Sequence, residues 1–362
     1  MKKDLSTLEI RQLVSEFQFL VNGRMEKIYQ LSPKDVIFKI HAPNAGVFLK
    51  ISNKFIYLSN EKGDVPEKPT TFCAILRKNL EGRKIKKIWQ RDSERIVVFE
   101  TESNILAIEL FGQGNVVLCD SGYRVISAAR MQKEGRIVKQ NEKYEFPEGK
   151  VNAFKIAERD FARIVKSSES GIVRTMASMI GGTYSEEICL RAGIGKNSKE
   201  LSDANATKLY KAYKKLVEEE PSPMVVFDEK GPFDAVIFEL QLHETKNKVA
   251  FSTFYEAIDS YLSQAGEAEK ESEVERRYRA QIEKIENIIA IQEKAISELK
   301  TESEADQRAG ELIYEKYQEV SSLMKELEEA RKKMSWQEIK SKIRNKKIIS
   351  IDERNSAITV DL

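Results

Sequence analysis

Cysteine and histidine are scarce in this sequence of 362 residues, and proline is absent after Pro232. The three cysteines, Cys73, Cys119 and Cys189, lie far apart inside apolar runs, which is typical of small core residues rather than of disulfides or reactive thiols. Only two histidines are present and no CxxC pair occurs, so the ligand spacings of a zinc site are missing. The sequence therefore predicts neither a metal nor another cofactor.

Long apolar runs are absent as well. No segment reaches the length of a membrane-spanning helix, and the first ten residues lack the apolar stretch of a signal peptide. We therefore expect a cytoplasmic protein without a membrane partner. The 60 Lys and Arg nearly balance the 58 Asp and Glu, so the net charge of +2 does not by itself indicate nucleic-acid binding. A binding surface of that kind needs local segregation of charge.

Motifs of small-molecule catalysis are also missing. The sequence contains no Ser–His–Asp set, no phosphate-binding P-loop and no G-x-G-x-x-G after a strand. No active site is predicted, and whether the protein is an enzyme stays open at this point. A binding factor that relies on another catalytic centre is the favoured interpretation.

What is present divides the chain into five parts. Residues 1–150 open with a helix whose capping box is Ser6 with Glu9, and then alternate strand-like tracts with one short helix. This order predicts an α+β domain with a mainly antiparallel sheet. The other predicted parts are a helical domain at 151–220, strands and a helix that return to the first domain at 221–262, a coiled coil at 263–334 and a small segment at 335–362 that ends in a hairpin.

The predicted coiled coil has two seams. Apolar residues from Tyr278 to Leu299 follow the alternating four-three spacing of heptads, and a second seam runs from Ile313 to Met334. Between them, residues 301–311 are polar and include Gly310. Two seamed helices around a polar break predict an antiparallel hairpin or a kinked rod.

Two features could contact a nucleic-acid backbone. Gly181 and Gly182 separate two predicted helices, and such a helix–hairpin–helix turn lets backbone N–H groups approach a phosphate; a second glycine turn is followed by Lys196 and Lys199. A basic cluster runs from the end of a predicted helix into a predicted strand and contains six cations, namely Arg77, Lys78, Arg83, Lys84, Lys86 and Lys87. A tight turn between packed helices and a solvated helix end are the alternative interpretations.

The stretch QRDSERIVVFE, residues 90–100, places Glu94 and Arg95 where a polar turn enters a strand. From the residues alone, the pair is an ordinary surface pair of little energetic weight. Glu9 is likewise explained by its place in the capping box. These residues gain a functional interpretation only from a family resemblance.

Several ordered motifs resemble the NFACT family. They are FCAILRKNLEGRKIKKIWQRDSERIVVFE followed by IELFGQGNVVLCD, together with MEKIYQ, YEFPEG, MIGGTYSEEICLRAGI and FSTFYEAIDSYL. The resemblance runs from the first helix to about residue 335, and ELFGQGN is similar to archaeal or eukaryotic members. It implies a MutM-like N-terminal domain, a helix–hairpin–helix domain and then a coiled coil.

The resemblance also implies a function. Family members act in ribosome-associated quality control, where they bind a large ribosomal subunit that carries a stalled nascent chain on peptidyl-tRNA. They hold tRNA, alanine-type prominently, and promote untemplated addition of residues to the C-terminus of the stalled chain. A ubiquitin ligase or a protease system acts downstream, and the resemblance implies the same partners here.

The family's tail-elongating members carry an acid in the first helix and an Asp–Arg pair at a strand start, both associated with tRNA. By resemblance these fall on Glu9, Glu94 and Arg95. Both acids here are Glu where the family commonly has Asp, and an extra methylene displaces the carboxylate by more than about an ångström, which can reduce activity. Binding is therefore a safer expectation than tail elongation.

Two alternatives remain from the sequence. One is a coiled-coil scaffold on RNA or the ribosome without tail-adding activity. The other, more remote, is a MutM-like DNA-binding protein, although the chain begins Met1-Lys2-Lys3 and lacks an N-terminal proline nucleophile. The family has a further returning helix and an RNA-binding domain beyond the segments found here, so we expect this sequence to be part of a longer protein.

Overall fold

The computed structural model divides the chain into two compact units, Met1–Glu271 and Ser272–Leu362, which are described separately. The structure describes residues 2–32, 35–43, 45–52, 54–63, 65, 68–132, 136–148, 151–167, 171–195, 201–229, 231–336, 338–339, 348–352, 355, 357–361. The side chains of residues 45, 267–277 and 279 are outside this description. Lys196 and Lys199 lie outside the described residues.

The first unit contains helices α1 to α6, the start of α7 and strands β1 to β12. The helices are α1 Thr7–Glu16, α2 Thr71–Leu80, α3 Glu158–Lys166, α4 Ile172–Ile180, α5 Gly182–Arg191, α6 Asp203–Val217 and α7 Phe254–Glu315. The strands are β1 Arg24–Ser32, β2 Asp35–Ala42, β3 Ala45–Ser52, β4 Phe55–Ser59, β5 Lys87–Gln90, β6 Ile96–Glu100, β7 Asn104–Glu109, β8 Asn115–Asp120, β9 Val125–Ala128, β10 Met224–Asp228, β11 Gly231–Val236 and β12 Asn247–Ala250.

The predicted capping box begins α1. The Ser6 hydroxyl accepts a hydrogen bond from the Glu9 N–H (3.3 Å), and the Glu9 carboxylate accepts one from the Ser6 N–H (2.7 Å). Together they satisfy two N–H groups at the helix start. The apolar face behind this cap buries Ile10 and Leu13 completely, so both the start and the orientation of the helix follow from the sequence.

The strands form antiparallel sheets, as the sequence predicts. Strands β1–β4 and β5–β9 make separate four- and five-stranded meanders, and β10 pairs with β11 and β12 in a third sheet. Strand β12 and the 3₁₀ turn Gln241–His243 were not predicted. The three cysteines are buried thiols, which confirms their interpretation as core residues.

One apolar core joins α1, the sheets and the helices α3 to α6. A smaller cluster covers the other face of the five-stranded sheet. Helix α7 begins against α1, where the Glu16 carboxylate accepts hydrogen bonds from the N–H groups of Phe254 (2.8 Å) and Tyr255 (3.0 Å). Thr253 and Glu256 form a capping box at the same helix start, and the Glu16 carboxylate satisfies two further N–H groups there.

The second unit corrects one prediction. Helix α7 continues unbroken through residues 301–311 and ends at Glu315, and α8 Tyr317–Arg331 follows a single non-helical residue, Lys316. The polar stretch is rich in Glu, Ala, Gln and Arg, which are good helix formers, and Gly310 alone costs only about 1 kcal/mol. The lack of apolar periodicity in residues 301–311 was therefore wrongly interpreted as a break in the helix.

The heptad seam of α7 is exposed. Ile282, Ile289 and Ile296 are each about half exposed, and no described residue covers them, so the coiled coil stays a prediction. A separate small core forms around Leu323, Leu327, Ile339 and Ile351. The predicted C-terminal hairpin is present as β13 Ile348–Asp352 and β14 Ala357–Val360.

The described residues contain neither a membrane-spanning helix nor a metal-binding cluster. None of their helices combines the length and apolarity needed to cross a membrane. Within the same residues, no group of three or more His, Cys, Asp or Glu side chains is arranged to hold a metal ion.

Candidate functional site

A cleft of about 920 Å³ in the first unit brings five of the candidate residues together. Glu9, Glu94, Arg95, Gly181 and Gly182 all line it. They come from α1, the turn before β6 and the junction of α4 with α5. The six cations of the basic cluster do not line this cleft. The structure therefore separates the two features that the sequence offered as nucleic-acid contacts.

Glu9 is buried and fully engaged. Besides the cap to Ser6, its Oε1 accepts hydrogen bonds from Lys2 Nζ (2.7 Å) and from the Tyr184 hydroxyl (2.9 Å). Burial, and then the neighbouring Glu9 charge, raise the pKa of Tyr184 well above its ordinary value, so the hydroxyl stays a donor. The carboxylate shapes one wall of the cleft and has little capacity left for a ligand.

Lys2 links Glu9 to a second buried acid. Its ammonium also lies 2.9 Å from Asp234 Oδ1, and its side chain is 7% exposed. Burial by itself would lower the pKa of Lys2, but the carboxylates of Glu9 and Asp234 outweigh it and raise the pKa above the ordinary value. The Lys2 N–H donates to the Tyr261 hydroxyl (2.7 Å), which fixes the start of the chain against α7.

Arg95 is held at the cleft by an acid that the sequence did not suggest. Its guanidinium lies 3.0 Å from Asp4 Oδ2, and both side chains are about one-third exposed. The side-chain amide of Gln90 donates to the carbonyls of Thr7 (3.0 Å) and Glu94 (2.9 Å), so the turn before β6 is tied to α1. The Glu94–Arg95 turn is thus a positioned element of the cleft.

The two glycines of the α4–α5 junction have different roles. Gly181 has φ +105°, and a Cβ there would lie 2.4 Å from the Ser6 Cβ, so glycine is required by both conformation and close approach. Gly182 faces open space. The first intrahelical bond of α5 runs from the Ser185 N–H to the Gly181 carbonyl (3.2 Å), which leaves the earlier N–H groups at this end outside the helical ladder.

The basic cluster is spread over α2, the following turn and β5. Arg77 donates to the Ile28 carbonyl (2.8 Å), Lys86 lies 3.0 Å from Glu102, and the Lys87 ammonium lies over the Trp89 ring. The other members, Lys78, Arg83 and Lys84, are exposed. Half of the cluster therefore has local structural partners.

The cleft itself is more acidic than basic. Six acids line it, Asp4, Glu9, Glu94, Glu148, Glu186 and Asp234, against four bases, Lys2, Lys3, Arg95 and Lys246. A cleft of this composition does not attract phosphates over its whole surface. It suits a ligand that donates several hydrogen bonds to the carboxylates and offers one acceptor group to the Arg95 guanidinium.

His243 is another buried residue of the same cleft. It is 7% exposed, and neither ring nitrogen forms a hydrogen bond within the described residues. Its ring meets Phe233 edge-on at 5.8 Å. Burial lowers the pKa of His243, the Asp234 carboxylate opposes this, and the Lys246 ammonium reinforces it. The imidazole is therefore kept neutral.

This neutral imidazole predicts a pH dependence of stability. Because its pKa is lower in the folded than in the unfolded chain, the unfolded state binds more protons as the pH falls below about 6.5, and the folded state loses stability. We expect His243→Leu to be at least as stable as the parent near neutral pH, since an unpartnered buried polar group is removed. As the pH falls, the His243→Leu variant should also lose less stability than the parent.

Urea unfolding at about pH 7.5 and about pH 5.5 measures this difference. His41→Gln is the control, because His41 is exposed and its loss removes one imidazole without touching the cleft. An equal pH dependence in the parent and in His243→Leu would contradict the prediction.

Sequence reasoning missed Lys2, Asp4, Tyr184, Asp234 and His243 as cleft residues. Their only local signal is polar or ionisable character beside apolar runs. Their partners lie far away in the chain, as for Tyr184 and Glu9 or for Lys2 and Asp234, which are 175 and 232 positions apart. Residue pairs that are so far apart in the chain produce no periodic pattern in the sequence.

Known proteins are similar to this chain over most of its length. Residues 6–359 match the model of the NFACT N-terminal and middle domains. The archaeal Rqc2 homolog aRqcH of Methanocaldococcus jannaschii is 32% identical over 374 aligned positions, which cover 96% of this chain and 55% of that protein. The human ribosome quality control complex subunit NEMF is 22% identical over 353 positions, or 86% of this chain and 33% of that protein.

A solved structure supports the fold. The N-terminal part of the fibronectin/fibrinogen-binding protein from Streptococcus suis has a TM-score of 0.58 at 19% identity and covers 71% of this chain and 98% of its own. The chain spans about half the length of the archaeal relative and a third of the human one. The family match over nearly all residues confirms the resemblance seen in the sequence, and the chain belongs to the NFACT family.

Proposed function

We propose that the chain is a ribosome-associated quality-control factor that binds tRNA on a large ribosomal subunit carrying a stalled peptidyl-tRNA. In this proposal it promotes untemplated addition of residues, alanine prominently, to the C-terminus of the nascent chain. The relatives named ribosome quality control complex subunit support this role. The observation that carries it is the cleft, which Glu9 of α1 lines together with Glu94 and Arg95 of the turn before β6.

The composition of the cleft favours recognition of bases over recognition of backbone. Carboxylates accept hydrogen bonds from the amino groups of bases, and an arginine fork can bind a base edge or a phosphate. Unpaired loops of RNA present such edges to proteins. We assign the base contacts to Glu94 and Arg95, with Asp4 positioning the guanidinium. Glu9 acts through the wall that it builds with Lys2 and Tyr184.

The backbone contacts are assigned elsewhere. The helix–hairpin–helix formed by α4 and α5 offers the N–H groups after Gly181 to a phosphate. The exposed cations of the basic cluster contact ribosomal RNA or tRNA at a distance from the cleft. Tail synthesis itself uses the catalytic centre of the ribosome, and the chain contributes binding and positioning.

Replacing Arg95 by alanine tests the proposal. A hydrogen bond to a charged group contributes about 1.5–3 kcal/mol, so we expect Arg95→Ala to weaken binding of alanine tRNA by tenfold or more. Arg91→Ala is the matched control, because Arg91 lies in the same turn, outside the cleft, against Phe146. Fluorescence titration of labelled tRNA gives both affinities.

Cross-linking in cells completes the experiment. The full-length protein that contains this chain should cross-link to large-subunit RNA and to one or two tRNA species, and Arg95→Ala should lose the tRNA. Equal loss in the Arg91 and Arg95 variants, or unselective RNA that neither variant changes, would contradict the proposal. The exposed seam of α7 favours the second candidate, a coiled-coil scaffold, which predicts ribosome association without loss of tRNA.

A further inference from the structure

A second concave surface lies between the end of α5 and α6. This α6 groove has a volume of about 770 Å³ and is lined by Leu190, Arg191, Ala192, Lys208, Lys211, Ala212, Lys215, Glu219 and Gln241. It shares no lining residue with the cleft. Its charge is opposite to that of the cleft, because four bases and one acid line it.

Three lysines supply the positive charge. Lys208, Lys211 and Lys215 follow the i, i+3, i+7 spacing of a single helix face and are all exposed. The helix rise of 1.5 Å per residue spreads them over about 10 Å along α6. None of the three forms an ion pair with a described residue. No acid of the described residues neutralises their ammonium groups.

The walls of the groove are fixed by the remaining charges. Arg191 forms an ion pair with Glu187 (2.6 Å) and another with Glu219, and it donates to the Glu239 carbonyl (3.3 Å). Glu187 also accepts hydrogen bonds from the N–H groups of Gln241 and Leu242, both at 3.1 Å. The single acid of the groove is thus already neutralised, and the three elements around it are tied together.

We propose that the α6 groove binds the phosphodiester backbone of RNA at a site separate from the cleft. Lysines on flexible stems act as point charges, which suits sequence-independent contact with successive phosphates. Leu190, 47% exposed, and Ala212 provide an apolar floor for sugar edges. The inference rests on the proposed function in supposing an RNA partner, but it does not require that tRNA binds in the cleft.

Salt dependence of RNA binding tests this site. The groove variant combines Lys208→Gln, Lys211→Gln and Lys215→Gln, and the control variant combines Lys155→Gln, Lys166→Gln and Lys214→Gln. Both variants remove three charges from the same helical part of the chain, and the control lysines line neither the groove nor the cleft. Glutamine preserves helix propensity, and circular dichroism verifies that both variants are folded.

The probe is a short fluorescent RNA duplex, titrated with the whole chain between about 50 mM and 200 mM salt. Each phosphate contact adds about 0.9 to the magnitude of the slope of log affinity against log salt. Because three lysines are removed, we expect the magnitude of the slope to be smaller by about 2 to 3 in the groove variant. The control variant should keep most of it. Equal slopes in the two variants would overturn the proposal.

Two further comparisons distinguish RNA binding in the groove from RNA binding in the cleft and from binding of an acidic peptide in the groove. If Arg95→Ala leaves tRNA binding unchanged while the groove variant loses its slope, the proposed function of the cleft fails and the groove stands. If the groove variant loses binding to polyglutamate and retains the parental slope for RNA, the groove is a site for acidic peptides and the proposal fails.

Discussion

Replacing Gly181 by alanine is expected to destabilise the first unit by roughly 2–6 kcal/mol. Its backbone angles, φ +105° and ψ 155°, lie in a region that is essentially restricted to glycine, and forcing another residue there costs about 1–3 kcal/mol. The new Cβ would also lie 2.4 Å from the Ser6 Cβ, and relief of such overpacking costs about 1–3 kcal/mol more. Urea unfolding of the chain measures the sum.

A second substitution separates the two causes. In Gly181→Ala combined with Ser6→Gly, the nearest remaining atom of residue 6 is the Cα at 3.7 Å, an ordinary contact. Glycine is an acceptable N-cap and costs α1 only a few tenths of a kcal/mol compared with serine. We therefore expect the double variant to recover the part of the loss that the overlap causes and to retain the part that the backbone angle causes.

Gly182→Ala is the matched control for position. A Cβ at Gly182 meets nothing within 4 Å and its φ is ordinary, so its stability should change little. If Gly181→Ala were no more damaging than Gly182→Ala, the close approach of the α4–α5 junction to α1 would be wrong. A stable Gly182→Ala variant with weakened RNA binding would in addition support phosphate approach at this helix end.

Much of the fold could be predicted because it depends on local patterns. The start of α1 follows from Ser6 and Glu9, which are three residues apart, and the strands of both meanders follow from alternation and turn residues. Residues 301–311 were misassigned because a solvated helix needs helix-forming residues and no apolar stripe. Prediction from short sequence patterns thus succeeds where residues that are close in the chain also contact each other in the structure.

The site could be predicted only in part. The family resemblance supplied Glu9, Glu94 and Arg95, and the structure places all three on one cleft. Nothing local indicates that Asp4 faces Arg95 or that Lys2 meets Asp234, because these contacts arise only after the sheets and α5 have packed. Glu9 has a capping role that the sequence predicted and a buried ion pair that it did not.

That ion pair carries the second large expected effect. Replacing Lys2 by methionine leaves the carboxylates of Glu9 and Asp234 buried without their shared cation, with exposed side-chain fractions of 1% and 10%. Breaking a buried ion pair by removing one partner costs about 3–5 kcal/mol, and methionine preserves most of the side-chain volume. We expect a loss of that size in the free energy of unfolding, measured with urea.

The lysine ammonium should contribute this stability over the whole range in which proteins are usually studied. Because the pKa of Lys2 is raised in the folded chain, its contribution is complete below the ordinary value of 10.5 and is lost only as the pH rises through the higher folded value. Titration of Lys2 itself should therefore leave the gap between the parent and Lys2→Met unchanged from about pH 7 to about pH 9.

Two variants decide whether the loss comes from the buried charge. Lys3→Met changes the neighbouring lysine, which is exposed, and should cost little. Glu9→Gln leaves Lys2 paired with Asp234, so it should cost less than Lys2→Met, and the double variant should cost less than the sum of the two singles because they share one interaction. Strict additivity, or equal losses at Lys2 and Lys3, would mean that the charges of Lys2, Glu9 and Asp234 do not act as a unit.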